Sequence, residues 1–503
     1  MIEGILIGLE TAFSIKNLMM VMIGCFAGTI IGMLPGLGPM TAIALMIPIT
    51  YGFEPSTGLI LMAGVYYGAV FGGSTSSILI NAPGIPGTVA TSFDGYPMAQ
   101  QGKAGKALAI AAYSSFAGGT IAAIFLLIAA PSLSKVSLAF RSPDYFGLMI
   151  LGLTAVSAFS AKGHFLKAMM MVVLGLMLAS VGQDTLSDIP RFTFQNMNLS
   201  DGISFVLVVM ATFAMSEALT IIFKANDPTR VAKQISLSQL GSIKLDKVET
   251  KKMVTTIPRS SVLGFIIGVL PGAGSTIASF LAYGMERNFV NDEEKLKFGK
   301  GSVNGLAAPE TANNAACSGS FVPLLTLGIP GSGTTAVMLG ALLGFGIQPG
   351  PRLYQTNPEI FWSVIMSMYI GMVILLILNL PLIPYIARVL ATPRTFLIPL
   401  ILFFSVTGIY LMSFNNFDIY MMIGIAVVAT VLRLYDFPMP PLILAFVLGG
   451  LMEENLRRSL LISDGSWSFL WERPLTLIIM LIIIFIVGWQ IFRSFKSKFT
   501  SSV

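Results

Sequence analysis

Stretches of roughly twenty apolar residues recur along the whole 503-residue chain, each long enough to cross the ~30 Å hydrocarbon core of a bilayer at ~1.5 Å per residue. The clearest run over 203–223, 360–378 and 474–491. Others lie near 18–34, 57–73, 107–130, 145–160, 165–181, 260–284, 395–412, 417–432 and 438–452. The sequence therefore predicts about twelve spans. No ten-residue segments alternate apolar and polar side chains as barrel strands must, so the expected fold is an all-α integral membrane protein. Composition agrees: 55% of residues are hydrophobic and 11% charged, whereas a soluble domain carries about 25% charged residues.

The first residues, MIEGILIGLETAF, carry Glu3 and Glu10 in place of a basic region, so no cleavable signal peptide is expected. The two cysteines, Cys25 and Cys317, stand in apolar contexts and fit neither a disulfide scaffold nor a Cys-based metal site. His164 is the sole histidine, which rules out a His-built metal site and a Ser-His-Asp triad. A phosphate-binding G-x-x-x-x-G-K-[ST] loop is also missing, so no cofactor is expected beyond a coupling Na⁺ or H⁺, and no ATP hydrolysis. The formal charge of +6 comes from basic loops and not from a nucleic-acid-binding domain. The longest such loop, 224–258, holds seven Lys or Arg against three acidic residues and is expected on the cytoplasmic side.

An internal repeat organises the chain. GTIIGMLPGLG at 28–38 matches GFIIGVLPGAG at 264–274 in eight of eleven positions, at an offset of 236. Ser74, Ser76 and the GIPG at 84–87 then match Ser318, Ser320 and the GIPG at 328–331, at an offset of 244. A charged insert between the two later motifs accounts for the eight-residue difference. The expected organisation is a membrane repeat over 1–223, a basic linker over 224–258 and a second repeat over 259–503. Gly/Pro-broken hydrophobic segments at corresponding places in two halves are a pointer to a transporter binding site.

Irregular backbone at membrane depth survives only inside protein or beside a water-filled cavity, because unpaired amides and carbonyls are costly in lipid. In LPGLGPMTA, Gly36 and Gly38 can take positive φ and Thr41 offers a hydroxyl near a new helix start; LPGAGSTIA repeats this with Gly272, Gly274, Ser275 and Thr276. Helices beginning there would turn free N–H groups toward a carboxylate. The second motifs add Ser74, Thr75, Ser76, Asn81, Gly84 and Gly87 in one half, and Asn313, Asn314, Ser318, Ser320, Gly331, Ser332 and Thr334 in the other. These are the expected substrate-binding residues, able to hydrogen-bond a carboxylate or to coordinate Na⁺. Acidic residues at membrane depth are scarce and costly. Glu310, with Thr311 beside it, is the leading candidate for ion coupling, and Glu217 the second.

At these motifs the chain resembles the large membrane subunit of the tripartite tricarboxylate transporters, the TctA family. The resemblance rests on the paired LPGxG segments, on GGSTSSILINAPGIPGT, and on GLAAPETANNAACSGSFVPLLTLGIPGSGTTAVMLGALLGFGIQPGP. It implies a secondary active importer of the bacterial inner membrane, working with a small membrane subunit and a periplasmic solute-binding protein, for citrate or another carboxylate. Two other classes use similar features: a passive anion channel can build its filter from broken helices, and an intramembrane enzyme also needs polar residues at depth. The enzyme reading lacks an H-E-x-x-H or G-x-S-x-G motif.

Overall fold

The computed structural model describes residues 2–34, 37–137, 139–158, 165–184, 187, 189–223, 241–272, 274–382, 385 and 394–500. Gly36, His164 and the linker residues 224–240, each singled out in the sequence, lie outside the described residues. The first half contains α1 (Ile2–Ala12), α2 (Ile15–Met33), α3 (Gly38–Thr50), α4 (Pro55–Ile80), α5 (Val89–Met98), α6 (Ala104–Ser137), α7 (Ser142–Ala158) and α8 (Phe165–Ala179). A small antiparallel pair, Gly182–Gln183 with Pro190–Arg191, precedes α9 (Phe205–Phe223). The second half contains α10 (Lys247–Val269), α11 (Gly274–Phe289), α12 (Val303–Gly319), α13 (Phe321–Leu327), α14 (Gly333–Gly344), α15 (Pro358–Asn379), α16 (Arg394–Ser413), α17 (Asn416–Leu434), α18 (Pro440–Ile462) and α19 (Pro474–Thr500).

Among the described residues, six helical segments are long and apolar enough to cross a membrane by length and composition, and five more apolar helices have 10–17 residues. A multi-pass membrane protein follows, although the described helices do not reach the expected twelve by this measure. One reason is local: the stretch read as a single span at 260–284 is two helices, α10 and α11, parted at LPGAG.

Helix starts follow capping chemistry. Asp246 and Glu249 form a reciprocal capping box at α10, and Ser332 and Thr335 form another at α14. Pro55 and Pro358 sit in the first turns of α4 and α15, where the missing N–H costs nothing.

The core is built on helix pairs in near backbone contact. A Cβ on Gly24 would lie 2.5 Å from the Leu61 carbonyl oxygen, while Gly28 and Gly32 press against the carbonyls of Val65 and Ala69, so α2 can approach α4 only because these positions lack side chains. On α10, Gly264 and Gly268 meet the carbonyls of Ala312 and Ala316 of α12 in the same way. All seventeen residues of α12 are buried, and α4 is buried throughout its apolar window.

Candidate functional site

The two LPGxG segments break their helices alike. Leu34 ends α2 with extended backbone and its N–H on the Ile31 carbonyl; Leu270 ends α10 identically on Ile267. The next helices start at Gly38 and Gly274, with φ of +60° and +63°. Glycine adopts this left-handed region without the Cβ clash other residues suffer. Gly272, at φ +81°, donates its N–H to the Gly331 carbonyl at 3.0 Å, tying the LPGAG break to the second GIPG loop.

The helices α4 and α12 lie side by side. Tyr67 shares a 2.9 Å hydrogen bond with Ser318, and seven residues further along α4, Ser74 reaches Glu310, eight residues earlier on α12. The two helices therefore run antiparallel. Glu310 is fully buried. Its Oε2 accepts from Ser74 at 2.7 Å and from Ser115 of α6 at 2.8 Å, and its Oε1 accepts from Thr91 of α5. Three hydroxyls from the first half thus hold one carboxylate of the second, with no Lys or Arg bonded to it among the described residues. A small cavity beside this cage is lined by Ser74, Thr75, Ser115 and Asn379 together with apolar side chains. Among the described residues the Asn379 Oδ1 has no partner.

A second polar group forms around Gly87. A Cβ there would lie 2.6 Å from Asn313 Oδ1 and 2.9 Å from Ser275 Oγ, so the first GIPG loop, the start of α11 and the middle of α12 converge. Asn314, by contrast, donates to the Glu310 carbonyl of its own helix at 3.1 Å.

The remaining sequence candidates are dispersed. Ser76 and Ser320 bond backward to the Gly73 and Cys317 carbonyls at 3.1 and 2.7 Å. Such local bonds occupy the hydroxyls within the helix. Ser318 lies between Tyr67 and the Gly119 carbonyl. Asn81 caps α4 in the left-handed region and is exposed. Gly84 packs onto Gly32, and Gly331 onto Ser320 and Gly268. Thr41 is buried within α3, Thr276 is half-buried in the first turn of α11, and Ser332 and Thr334 sit at the start of α14. Thr311 is not among the donors to Glu310: its buried hydroxyl has no partner among the described residues, and the residue packs on Gly118. Thr91 and Ser115 escape sequence reasoning because neither belongs to a repeated motif; helical spacing alone gave no reason to select them.

Glu217, the second acidic candidate, stands apart from the cage. It forms an ion pair with Arg433 of α17 at 2.5 Å, and Arg433 also donates to the Thr212 carbonyl at 2.9 Å. Outside the apolar helices, the charged insert is knitted to α10: Glu294 accepts from Lys252 at 2.7 Å and Lys297 at 3.1 Å. Burial would push the Glu294 carboxyl up, but these two ammonium groups prevail and hold it below the usual carboxylate range.

A family model described as the tripartite tricarboxylate transporter TctA family matches residues 18–444. An uncharacterized 52.8 kDa protein in the TAR-I ttuC' 3' region of Agrobacterium vitis is 41% identical over 498 residues, which covers 99% of this chain and 98% of that protein. An uncharacterized protein in the TAR-II ttuC' 3' region of the same organism is 43% identical over 212 residues, 42% of this chain and 87% of its own length. No solved structure matches the chain.

Proposed function

Because the chain belongs to the tripartite tricarboxylate transporter TctA family, a family of transporters and not of enzymes, we propose that it is the permease of a secondary active importer. It moves a tricarboxylate or related carboxylate across the bacterial inner membrane, driven by Na⁺ or H⁺. A periplasmic solute-binding protein delivers the substrate, and a small membrane subunit completes the complex.

The observation that carries this reading is the Glu310 cage. A buried carboxylate with three hydroxyl donors and, among the described residues, no basic partner suits a site that takes up and releases a cation or proton. All of its side-chain ligands are oxygens, as a hard cation prefers. Loading the cation removes the negative charge beside an incoming anion, so the two bind together without nucleotide chemistry.

The site sits between two related, inverted halves. In support, the pairs Gly28–Val65 and Gly32–Ala69 recur as Gly264–Ala312 and Gly268–Ala316. The glycines are 236 positions apart, and their partners 247. Asn81 and Gly328, also 247 apart, both end their helices in the left-handed region. The antiparallel course of α4 and α12 is what inversion requires.

The test is uptake in cells expressing the chain with its two partners, with labelled carboxylates and Na⁺ or H⁺ gradients imposed separately. Saturable uptake that follows one gradient is expected. Uptake indifferent to both gradients would overturn active transport in favour of a passive pathway.

A further inference from the structure

Asn313 is fully buried, yet among the described residues neither its Nδ2 nor its Oδ1 finds a hydrogen-bond partner. Native proteins rarely leave both ends of a buried amide unsatisfied, and where they do a missing ligand is a physical reason for it. The amide lies against Gly87, which the Ser275 hydroxyl, half-buried and second in α11, approaches as well. The opening N–H groups of that helix have no partners within it and carry its positive end.

The two-halves reading above, on which this inference rests, gives the point a counterpart. Asn313 corresponds to Tyr66 at 247, and Ser275 to Pro39 at 236. There the arrangement is closed. The Tyr66 ring is buried, its hydroxyl is 3.3 Å from Ser332 in the other half's loop, and Pro39 has neither an N–H nor a side-chain donor. Each mid-helix residue thus reaches across to the loop of the opposite half. Tyr66 is satisfied there and Asn313 is not.

We propose that Asn313, Ser275 and the first amides of α11 form a single carboxylate site, whose counterpart at Tyr66 and Pro39 is filled by side chains and binds nothing. Asn313 presents a donor and an acceptor side by side. A hydroxy-carboxylate matches both, with a carboxylate oxygen accepting from Nδ2 and the hydroxyl donating to Oδ1. Asn313 is one helical turn from Glu310, so anion and coupling cation occupy adjacent positions on α12. A Cβ at Gly87 would collide with both the Asn313 amide and the Ser275 hydroxyl, so a side chain at this position would block the proposed site.

Thermal unfolding of the purified full-length chain tests this, with citrate and L-malate as probes and tricarballylate and succinate as their counterparts lacking the hydroxyl. For the wild type, at least one hydroxylated probe should raise the unfolding midpoint more than its counterpart does. Ser275→Ala should weaken that binding roughly tenfold, the loss expected for one hydrogen bond to a charged group. Asn313→Leu, similar in volume, should raise the ligand-free midpoint by removing the unpaired amide while abolishing the response to every probe. Should that variant not accumulate, Asn313→Asp tests the site through charge repulsion and should likewise lose the response. Tyr66→Phe should bind as the wild type does. A normal response in Asn313→Leu, or in Asn313→Asp, overturns the placement of the site and leaves the transport reading intact. Equal responses to hydroxylated and unhydroxylated probes overturn hydroxyl recognition, and no wild-type response to any probe overturns the carboxylate class that both readings share.

Discussion

The Ser74 hydroxyl donates to Glu310 Oε2 across 2.7 Å, joining α4 of the first half to α12 of the second. The first is buried throughout its apolar window and the second along its whole length, and each is held by a glycine-faced neighbour, α2 or α10. The close backbone approach leaves little freedom for either helix to shift alone. A change of charge at Glu310 is therefore felt by three hydroxyl-bearing helices at once, α4, α5 and α6.

Replacing Glu310 by Gln keeps the volume and removes the charge. The expected outcome is near-normal abundance, retained substrate exchange, and uptake whose rate no longer varies with Na⁺ concentration or pH. Ser115→Ala should be milder, since two donors remain and one such hydrogen bond contributes about 1.5–3 kcal/mol. Uptake assayed against each ion decides the matter, and an ion dependence unchanged in Glu310→Gln removes this residue from coupling.

Glu217 should behave differently. Its pairing with Arg433 points to a structural role, so Glu217→Ala leaves a partly buried guanidinium with the Thr212 carbonyl and is expected to destabilise the protein by about 1–3 kcal/mol. The ion dependence of whatever uptake remains should be normal. Replacing both partners with apolar residues of similar size should recover much of the lost abundance, measured by quantitative blotting of membranes.

Glycines supply an internal contrast. Gly268→Ala drives a methyl into the Ala316 carbonyl and should lower the unfolding midpoint, in line with the roughly 1–3 kcal/mol of overpacking. Gly284, exposed on α11 with nothing near its missing Cβ, is the opposite case. Gly284→Ala should stabilise by about 0.5–1 kcal/mol through helix propensity. Equal effects at the two positions would contradict the packing described for α10 and α12.

The sequence made some of this legible and concealed the rest for physical reasons. Helices facing lipid announce themselves by hydropathy, and LPGLG and LPGAG revealed both breaks because glycine takes the left-handed backbone at Gly38 and Gly274 without the Cβ clash that other residues suffer. Helix α12 was not read as a span: shielded by protein on every side, it needs no apolar surface, and AAPETANN scores as polar. Glu310 could be singled out because a carboxylate among apolar spans is rare, whereas its donors Thr91 and Ser115 look like any helix hydroxyl. The matching of GIPG with GIPG at 244 also obscured the packing, in which helix partners recur at 247 and Asn81 stands where Gly328 does. Gly274 is needed for its positive φ alone, since among the described residues a Cβ there would meet nothing within 4 Å, whereas the close approach is at Gly87.

The side of the membrane on which the linker lies follows from charge. Lys251 is exposed near the start of α10, beside the basic stretch expected in the cytoplasm. A cysteine introduced at Lys251 should react with a membrane-impermeant maleimide only after permeabilisation. Labelling of intact cells would reverse the assigned orientation.

The charged insert gives the last prediction, a dependence on pH. In the folded protein, Glu294 is held below the usual carboxylate range by Lys252 and Lys297 after its burial penalty is overcome. An acid whose folded pKa is depressed adds stability above its unfolded value and loses it as pH falls through the folded one. The contact between the insert and α10 should therefore be intact at neutral pH and weaken on acidification below the ordinary glutamate range. Hydrogen exchange across 291–300, taken relative to the intrinsic amide rate at each pH, should rise there in the wild type, and high salt should reproduce part of the rise, because Lys252 and Lys297 are partly exposed. Glu294→Gln should show the faster exchange already at neutral pH, with little further change on acidification. If the variant keeps the wild-type pH profile, another group governs the insert.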